Sequence, residues 1–484
     1  MGARKGIQYL QDLDNKPREL WLGGDKITRD ISKHPQFRAV AKSIAYLYDM
    51  QHDSGLVEEM TYASPTSGER VGLSFLQPKT MEDLIKRRVM MKHWADYSGG
   101  MLGRTPDYLN SDLMAMASAW EFFNRKDQHF GDNLHKYYEY VRENDLCLTH
   151  TLIHPQANRA VGPSKQSDPF LAARVVEKND QGIMIRGARM LATLPLADEI
   201  LVFPSTVIRG TQDDMPYAFA FGIPCSTKGL KFICREPFAE ESHFDHPLAS
   251  RFDEQDAVVI FADVLVPWDR VFLLEDVEGA NTLQEATSGI VFMTQQVIVK
   301  NIAKTEFVLG VTSLIADTIG ITEFQHVQEK IAKIIMMLES MKSFLRASEA
   351  DAQMNQWGIL TPDFKPLNVA RNLYPRLFPH LRTIIQQLSA SGMMALPSEE
   401  DMKNSEIRPS IDAYYQAKNT NSEERIRLFH LAWDIAGSSF GSRQELYERF
   451  FFGDPVRMAG ALYNWYDKEP YKQRIREFLH QEEE

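Results

Sequence analysis

Apolar residues recur along the chain with different spacings, and each spacing predicts one kind of element. Between residues 33 and 143 they return mainly every three or four positions, the period of an amphipathic helix. The strongest segments are 81–97 and 106–123, the second rich in Leu, Met and Ala. The first part of the chain is therefore predicted to be a helical domain.

Between residues 144 and 272 the pattern changes to short β-prone runs. Turn signals such as Asn179–Gly182 and Lys228–Gly229 separate these runs. The predicted strands are 174–177, 182–186, 200–203, 218–221, 230–233 and 258–261. Short strands joined by tight turns are typical of an antiparallel meander or a small barrel, which we predict for this middle region.

The helical period returns after Trp268. Apolar residues at three- and four-residue steps predict one stripe on a long helix: Val327, Ile331, Ile334, Ile335, Leu338, Met341 and Leu345. A second set of helices is predicted to follow Asn372, and a last one to begin after Asp467. The order of helices, strands and helices indicates an α+β fold, which we divide into 1–143, 144–272 and 273–484.

Charge and cysteine content exclude several classes of partner. The 484-residue chain has a net charge of −12, which argues against nucleic acid and anionic membranes as partners. Its cysteines, Cys147, Cys225 and Cys234, lack the paired spacing of a disulfide framework or a zinc site. The sequence shows no apolar signal core and no uninterrupted apolar run of about 18 residues. We therefore expect a soluble, cytoplasmic protein without a metal ion.

Common nucleotide-binding signatures are absent from the sequence. It has neither the Gly-x-Gly-x-x-Gly pattern of a Rossmann dinucleotide site nor the Gly-x-x-x-x-Gly-Lys-Ser/Thr pattern of a P-loop. His-Glu-x-x-His and Cys-x-x-Cys are missing as well. If the protein handles electrons, a nicotinamide-dependent reductase must therefore lie on another chain.

The segment around Arg104 combines a helix start with two side chains suited to an anionic oxygen. Thr105 and Pro106 form a good N-cap followed by proline at the first helical position. Arg104 and Tyr108 flank this start, so a cation and a phenolic donor lie beside oriented backbone N–H groups. This arrangement favours a phenolate or carboxylate ligand, but an Arg paired with a local Asp and a Tyr in the core also fit the spacing.

A second polar cluster lies at Thr149–Arg159, where the helical pattern gives way to the β pattern. It holds two His, two Thr, Gln, Asn and Arg within eleven residues. Planar hydrogen-bonding groups at this density suit a flat heteroaromatic ring such as isoalloxazine. A histidine here is also suited to proton exchange near neutral pH. A polar junction between two domains is the alternative interpretation.

Further segments carry candidate ligand groups. Thr193 lies in an apolar, strand-like stretch, so its hydroxyl needs a backbone or a ligand partner. The polar stretch 207–214 is predicted to be a mobile loop able to cover a pocket, with a hairpin turn as the alternative. Near the C-terminus, Arg443 and Arg457 could bind a diphosphate or close surface salt bridges.

At these same segments the sequence resembles the oxygenase components of 4-hydroxyphenylacetate 3-monooxygenases, along nearly its whole length. The motifs that carry the resemblance are Gly103–Asn110, Asn158–Arg159, Gly187–Met190, Phe203–Thr206, Asn372–Arg376 and Tyr447–Arg457. This family shares a fold with acyl-CoA dehydrogenases and with 4-hydroxybutyryl-CoA dehydratase. The resemblance implies a helical N-terminal domain, a middle antiparallel β-barrel and a C-terminal helical bundle that forms homotetramers as paired dimers, with FAD between barrel and bundle.

The resemblance also implies the reaction. A separate NAD(P)H-dependent flavin reductase supplies FADH2, which reacts with O2 to give a C4a-hydroperoxyflavin. Its terminal oxygen then hydroxylates 4-hydroxyphenylacetate ortho to the phenol, giving 3,4-dihydroxyphenylacetate. The chain is thus expected to be an FADH2-dependent aromatic monooxygenase.

Site residues are implied by position in the family's motifs. Arg104, Tyr108 and His150 are expected to hold the phenol oxygen, and Ser205 and Thr206 to contact the carboxylate side chain of the substrate. The implied flavin contacts are His150, Gln156, Ala157, Asn158, Arg159, Thr193, Asp454, Pro455, Val456 and Arg457. The last four of these would come from a neighbouring subunit, and 440–443 is a competing segment for that role.

Three other functions stay open. The radical dehydratases of the same fold need a [4Fe–4S] cluster held by cysteines and a histidine, for which three cysteines mostly in β sequence are too few. A related monooxygenase could act on a chlorophenol, a nitrophenol or a tyrosine-like compound. A non-enzymatic helical scaffold or a flavin-storage protein would need the polar cluster at 149–159 to be structural.

Overall fold

The computed structural model describes residues 2–204, 208 and 212–480, and its first part is mainly helical. The helices are Gly6–Asn15 (α1), Arg38–Met50 (α2), Val57–Met60 (α3), Met81–Tyr97 (α4), Pro106–Ser118 (α5) and His129–Asn144 (α6). Two hairpins interrupt them, made of the strands Glu19–Leu22 (β1), Asp25–Ile27 (β2), Thr61–Ala63 (β3) and Arg70–Gly72 (β4). The predicted helix at 81–97 is confirmed, whereas the second predicted helix ends at Ser118 and is followed by a 3-10 helix.

The middle part of the chain consists of strands. They are Leu148–Thr151 (β5), Arg174–Lys178 (β6), Gly182–Thr193 (β7), Glu199–Val202 (β8), Phe219–Pro224 (β9), Leu230–Cys234 (β10), Asp256–Pro267 (β11) and Val271–Leu274 (β12), with the short helix Ala249–Phe252 (α7) before β11. Each of the six predicted strands overlaps one of these. One sheet has the order β2-β1-β10-β11-β7-β6, and a second has the order β12-β9-β8-β5.

The predicted antiparallel barrel is wrong in its closure and in part of its pairing. Among the described residues no ladder joins the two sheets, so they do not form a closed barrel. Strand β1 pairs with β10 in parallel, and β5 pairs with β8 in parallel. Hydrophobic period identifies strands but not their partners, and β1 and β2 lie far before the middle region in sequence.

Helices return in the last part of the chain. They are Val277–Ala286 (α8), Gly289–Ile319 (α9), Gln325–Ala350 (α10), Phe364–Ser389 (α11), Glu399–Lys403 (α12), Arg408–Tyr414 (α13), Ser422–Ala436 (α14), Ser439–Phe450 (α15), Pro455–Trp465 (α16) and Glu469–Leu479 (α17). A small hairpin, Gln353–Met354 (β13) with Leu360–Thr361 (β14), follows α10. The α+β class is confirmed.

Packing explains where these helices agree with the predicted pattern and where they do not. The stripe on α10 is largely buried, although Ile335 is 45% exposed. The prediction that helices begin after Asn372 is wrong, because α11 starts at Phe364 and continues through Pro375 and Pro379. Contacts of α11 with α9 and α10 outweigh the cost of two prolines inside a helix.

The long helix α9 lies at the centre of the molecule. It packs against α4, α5, α10 and α11, and most of its residues are buried. One continuous hydrophobic core includes residues from all three parts of the chain. Because α5 contacts both α9 and β5, the turn before α5 lies where the strands meet the helical bundle. None of the described helices combines the length and apolar content needed to cross a bilayer.

Candidate active site

Arg104 lies in the tight turn between α4 and α5. Gly100 in this turn has a φ of +71°, in the left-handed region that favours glycine, and an added Cβ would lie 2.7 Å from the carbonyl oxygen of Lys300. Thr105 is the N-cap of α5 and Pro106 its first residue, as predicted. The turn therefore holds Arg104 between the start of α5 and the side of α9.

The guanidinium of Arg104 is packed among three aromatic rings. Its Cζ lies 4.3 Å from the ring centroid of Tyr108, 4.3 Å from that of Phe451 and 5.4 Å from that of Tyr447. Burial alone lowers the pKa of Arg104, but Tyr447, Tyr108 and Glu254 outweigh this effect and raise it above its usual value. The side chain is therefore permanently charged.

Two nitrogen atoms of this cation have N–H donors to spare. The Nε and Nη1 atoms of Arg104 are buried and have no hydrogen-bond partner within the described part of the chain. Burying charged donors without acceptors is costly, and such groups usually find a partner in the protein, in water or in a ligand. These two donors are therefore available to an anionic or carbonyl oxygen.

His150 on β5 belongs to the same group of side chains. Its ring centroid lies 5.9 Å from that of Tyr108 and 6.1 Å from that of Phe203, and the residue is 7% exposed. Burial, and after it the charge of Arg104, holds the pKa of His150 well below its usual value. The imidazole is therefore neutral, which differs from the expected proton exchange near neutral pH. The structure brings Arg104, Tyr108 and His150 together.

The other predicted flavin contacts of this region lie on the loop after β5. Residues 156–159 are exposed, and Asn158 Oδ1 accepts a hydrogen bond from the backbone N–H of Ala160 at 3.0 Å. His154 anchors the loop, because its Nδ1 lies 3.1 Å from Nη1 of Arg189, a fully buried residue of β7. Most polar groups of 156–159 thus face solvent in the isolated chain, where a ligand can reach them.

Thr193, at the end of β7, has a protein partner. Its hydroxyl donates to Asp256 Oδ1 at 2.8 Å. Asp256 also accepts from Arg443 on α15, with Nε 2.9 Å from Oδ2 and Nη2 2.7 Å from Oδ1. Burial raises the pKa of Asp256, but the charge and hydrogen bonds of Arg443 hold it well below its usual value. Arg443, a candidate for diphosphate binding, is thus engaged by a carboxylate that ties β11 to α15.

The second predicted flavin segment begins α16. Asp454 is the N-cap of this helix, and its Oδ1 accepts from the backbone N–H groups of Val456 and Arg457, both at 3.0 Å. The carbonyl of Pro455 accepts from Arg376 Nη2 at 2.9 Å. Val456 is 79% exposed. The segment is therefore open to solvent or to a neighbouring subunit.

Ser205 and Thr206 lie outside the described residues, so their predicted contact with the substrate stays a prediction. Residues 207 and 209–211 of the predicted mobile loop also lie outside them. The following residues, Gln212–Tyr217, form a 3-10 helix, and the Tyr217 hydroxyl donates to the carbonyl of Pro169 at 2.8 Å.

Sequence reasoning gave no role to several residues that surround the guanidinium. Glu254 Oε1 accepts from the backbone N–H of Arg104 at 2.6 Å. The Tyr447 hydroxyl is buried and has no hydrogen-bond partner among the described residues. A signal was present on α9, where Lys300 and Lys304 interrupt an apolar stretch four residues apart and so lie on one side of the helix.

We predict that Gly103→Ala disturbs the aromatic wall around Arg104. An added Cβ would overlap the ring and hydroxyl of Tyr447, so the ring must move. The expected loss of stability is about 1–3 kcal/mol, typical of overpacking a close-packed interior. Thermal unfolding measures it. Gly310→Ala on α9 is the matched control, because an added Cβ there meets no atom within 4 Å, and a similar loss in both variants would contradict the prediction.

Two family models match consecutive parts of this chain. The model described as 4-hydroxyphenylacetate 3-hydroxylase N terminal matches residues 5–273. The model described as 4-hydroxyphenylacetate 3-hydroxylase C terminal matches residues 280–480. Between them the two models account for nearly the whole sequence.

Curated relatives are similar over the same length. The 4-hydroxyphenylacetate 3-monooxygenase oxygenase component of Thermus thermophilus is 50% identical, covering 99% of this chain and 97% of the relative. The protein of the same name from a Geobacillus strain is 49% identical, with the same coverage. The oxygenase component of 4-nitrophenol 2-monooxygenase from a Rhodococcus strain is 30% identical, covering 93% and 86%.

Solved structures agree with this relationship. A crystal structure of the oxygenase component of 4-hydroxyphenylacetate 3-monooxygenase, complexed with FAD and 4-hydroxyphenylacetate, superposes with a TM-score of 0.95 at 50% identity, covering 99% of this chain and 98% of that one. An archaeal 4-hydroxybutyryl-CoA dehydratase from N. maritimus, 21% identical, shares the fold with a TM-score of 0.89. The chain therefore belongs to the 4-hydroxyphenylacetate 3-hydroxylase family, as its motifs indicated.

Proposed function

We propose that this chain is the oxygenase component of a two-component flavin monooxygenase that converts 4-hydroxyphenylacetate to 3,4-dihydroxyphenylacetate. The observation that carries the proposal is the buried Arg104 guanidinium, whose two unpartnered N–H donors lie beside Tyr108 and a neutral His150. A phenol oxygen accepts several hydrogen bonds and gains negative charge during hydroxylation, which matches this set of groups. Relatives named for this substrate at 49% and 50% identity support the choice of phenol.

Each of the three side chains has a distinct task. Arg104 stabilises negative charge on the phenol oxygen, and a fixed charge in a dry site does so without reorganisation. Tyr108 stays protonated, because burial raises its pKa, and donates a hydrogen bond to the same oxygen. Neutral His150 accepts the hydrogen bond of the phenol O–H and draws its proton away from the ring. Together they increase electron density at the carbon ortho to the hydroxyl.

The residues around this site fit a flavin, because the loop that follows β5, the strand of His150, exposes the polar side chains of Gln156, Asn158 and Arg159, and the buried Tyr447 hydroxyl has no partner among the described residues. The proposed contacts are His150, Gln156, Ala157, Asn158, Arg159 and Thr193, with Asp454, Pro455, Val456 and Arg457 of a neighbouring subunit. Thr193 donates to Asp256, so its hydroxyl oxygen is left to accept from the ring. When bound, FADH2 reacts with O2 and supplies the electrophilic oxygen atom.

Aromatic side chains keep water away from the oxygen-transfer centre. Phe451 packs edge-on against Tyr108 with ring centroids 5.5 Å apart, and against Tyr447 at 5.2 Å. Phe203, the residue that directly follows β8, contacts the ring of His150. Exclusion of water favours oxygen transfer over release of hydrogen peroxide.

Substrate choice among phenols depends on the group opposite the hydroxyl. We propose that Ser205 and Thr206 bind the carboxylate of 4-hydroxyphenylacetate through their hydroxyl donors. Chlorophenols and nitrophenols lack this carboxylate. The relative named for 4-nitrophenol is 30% identical to this chain, which favours the carboxylate-bearing substrate over nitrophenol.

A second protein must supply reduced flavin, because the sequence carries no Rossmann or P-loop motif; we assign this role to an NAD(P)H-dependent flavin reductase. A cytoplasmic location agrees with three free, buried cysteines. The proposed assembly is a homotetramer of paired dimers. It would cover α16 and α17, which bury none of their residues in the isolated chain.

Removing the apolar character of α17 is predicted to weaken this assembly. Phe478 and Leu479 are 68% and 72% exposed, so the double substitution Phe478→Glu and Leu479→Glu costs little intramolecular packing but introduces charge into the proposed subunit contact. Light scattering after gel filtration is expected to give a tetramer for the wild type and smaller species for the variant. A variant that stays tetrameric would place the contact elsewhere.

A single-turnover experiment tests the function. Anaerobic protein with FADH2 is mixed with oxygenated buffer, with and without 4-hydroxyphenylacetate, and the flavin spectrum, catechol and H2O2 are recorded. We expect nearly one catechol per FADH2 with substrate and H2O2 without it. Parallel runs use 4-chlorophenol and 4-nitrophenol. Better coupling with either compound would identify it, rather than 4-hydroxyphenylacetate, as the preferred substrate. Absence of any hydroxylated product would refute the oxygenase function.

A further inference from the structure

A cluster of buried charges lies behind the aromatic wall of the active site. Lys300 and Lys304 of α9 have side chains that are 1% and 0% exposed. Their Nζ atoms lie 2.6 and 2.5 Å from the same oxygen, Oε1 of Glu448 on α15. Lys304 Nζ also donates to Gln444 Oε1 at 2.8 Å. Two ammonium groups thus share one carboxylate oxygen in the interior of the protein.

This cluster is close to the predicted phenol site. Lys300 Nζ lies 5.3 Å from the ring centroid of Tyr447 and 5.0 Å from that of Phe451. These are two of the three rings that Arg104 contacts. Both rings thus contact the Lys300 ammonium group as well as the Arg104 guanidinium, so we expect the field of Lys300 to reach the oxygen that Arg104 is proposed to bind.

Neighbouring carboxylates do not neutralise the excess positive charge of the two lysines that share Glu448. The carboxylates of Glu254 and Asp256 are engaged by Arg443 on α15, and Glu254 also accepts from the backbone of Arg104. From α11 the neutral side chains of Tyr374 and Phe378 face the cluster. The described charged groups linked to one another here are the cations Lys300, Lys304, Arg104, Arg443 and Arg235 and the carboxylates Glu448, Glu254, Asp256 and Asp253. With both lysines protonated, these described groups carry five positive and four negative charges, a net charge of +1.

Fold stability does not account for such a cluster. Removing ions from water is costly, and apolar residues of similar volume often replace a buried ion triad without loss of stability. Burial lowers the pKa of Lys300 to about 7, with Glu448 opposing the shift, and burial lowers the pKa of Lys304 as well. The charged form of each lysine is thus less stable in this interior than it would be in water. That the protein nevertheless buries both ammonium groups indicates a role in the chemistry of the site.

We propose that Lys300 and Lys304 supply a positive field that shifts a phenol bound at Arg104 toward its ionised form. This inference rests on the function proposed above and extends it from contact residues to charges that act through space. The two lysines are positioning residues, because neither touches the substrate. A phenolate ring is more electron-rich than a phenol and reacts more readily with an electrophilic oxygen.

A chromophoric phenol allows a direct test. 4-Nitrophenol absorbs visible light as the phenolate but not as the phenol, so its spectrum reports its ionisation. The probe is bound to the full-length protein with FAD, with protein plus FAD as the blank, and the pH of half-ionisation is read from a titration. For the wild type we expect this pH to lie below that of the free probe.

The variants separate the field from the fold. Lys300→Met is expected to raise the pH of half-ionisation by about one unit, the size expected for one partly screened charge near the site. Lys304→Met should shift the pH of half-ionisation in the same direction. This second variant provides the measurement if Lys300→Met folds poorly. Lys86→Met removes an exposed lysine of α4 and should change nothing. Thermal midpoints of both buried-site variants are expected to equal or exceed that of the wild type.

The outcomes distinguish the inference from the proposed function. If both methionine variants bind the probe and ionise it at the wild-type pH, the field does not exist and the inference is wrong. Low thermal midpoints with an unchanged ionisation would likewise assign the cluster to the fold. If the wild type binds neither the probe nor 4-hydroxyphenylacetate, or if 4-hydroxyphenylacetate does not displace the bound probe, the phenol site itself is refuted and the inference falls with it.

Discussion

Replacing Arg104 by methionine is expected to lower kcat/KM for catechol formation by about 10²–10³-fold, the usual effect of removing a preorganised donor to a developing negative charge. Flavin oxidation by O2 does not need this donor, so the reduced flavin should still be consumed and should end mainly as H2O2. Catechol and H2O2 per NADH, measured with a flavin reductase, report the effect. Methionine keeps much of the packing against Tyr108 and Phe451, so the loss reflects charge and hydrogen bonding.

Two further variants test whether the loss of catechol formation comes from the charge of Arg104 or from its hydrogen-bond geometry. Arg104→Lys keeps the charge but loses the planar fork of donors, so an intermediate loss is expected. Arg186→Met removes an arginine whose side chain is 46% exposed and paired with Asp263, and it should leave coupling unchanged. Wild-type coupling in Arg104→Met would show that the guanidinium does not hold the phenol.

Asp256→Asn is expected to cost about 2–3 kcal/mol of stability, because it removes one of the two carboxylates that neutralise the buried Arg443 and leaves only Glu254 paired with it among the described residues. Asp256 accepts from Arg443 and Thr193, and its Oδ2 also lies 3.1 Å from Nε of Arg235. The same change should weaken FAD binding, because it loosens Thr193 and the link between β11 and α15. Urea unfolding and a flavin fluorescence titration measure the two effects.

The stability difference should depend on pH with a defined sign. Since Arg443 holds the pKa of Asp256 well below its usual value, the stabilisation is present above the carboxyl's ordinary pKa and is lost as pH falls below it. Wild type and Asp256→Asn should therefore differ most near neutral pH, begin to converge below about pH 4 and continue to converge as the pH approaches the lowered pKa of Asp256. Asp263→Asn removes an exposed partner of Arg186 and should cost about 0.5 kcal/mol or less. Equal losses of stability in the two variants would show that the ion pair of Asp256 with Arg443 contributes no more than an exposed ion pair.

Local signals allowed much of the fold to be predicted from sequence. Period and turn residues located α4, the start of α5 and the middle strands, because these properties depend on near neighbours. Strand partners did not follow, since the parallel pairing of β1 with β10 joins segments far apart in the chain. The sequence interpretation placed this helix after Asn372, but packing against α9 and α10 lets α11 begin at Phe364 and continue through two prolines. The division at 143 and 272 stays a prediction.

The candidate site was likewise predictable only where the signal is local in sequence. Arg104 and Tyr108 were found because they flank a recognisable N-cap, and His150 because it lies in a dense polar cluster. Tyr447 and Lys300 complete the surroundings from α15 and α9, and no local pattern shows that these helices meet at Arg104. Burial, which keeps His150 neutral, is a property of the folded state that composition does not reveal.

A crystal structure of the protein with FAD and 4-hydroxyphenylacetate tests the central claim most directly. We predict that the phenolic oxygen lies within hydrogen-bonding distance of the Arg104 guanidinium, the Tyr108 hydroxyl and the His150 imidazole, with the ortho carbon facing the flavin ring. A complex in which the phenol binds elsewhere, or in which Arg104 turns toward a protein carboxylate instead, would contradict it.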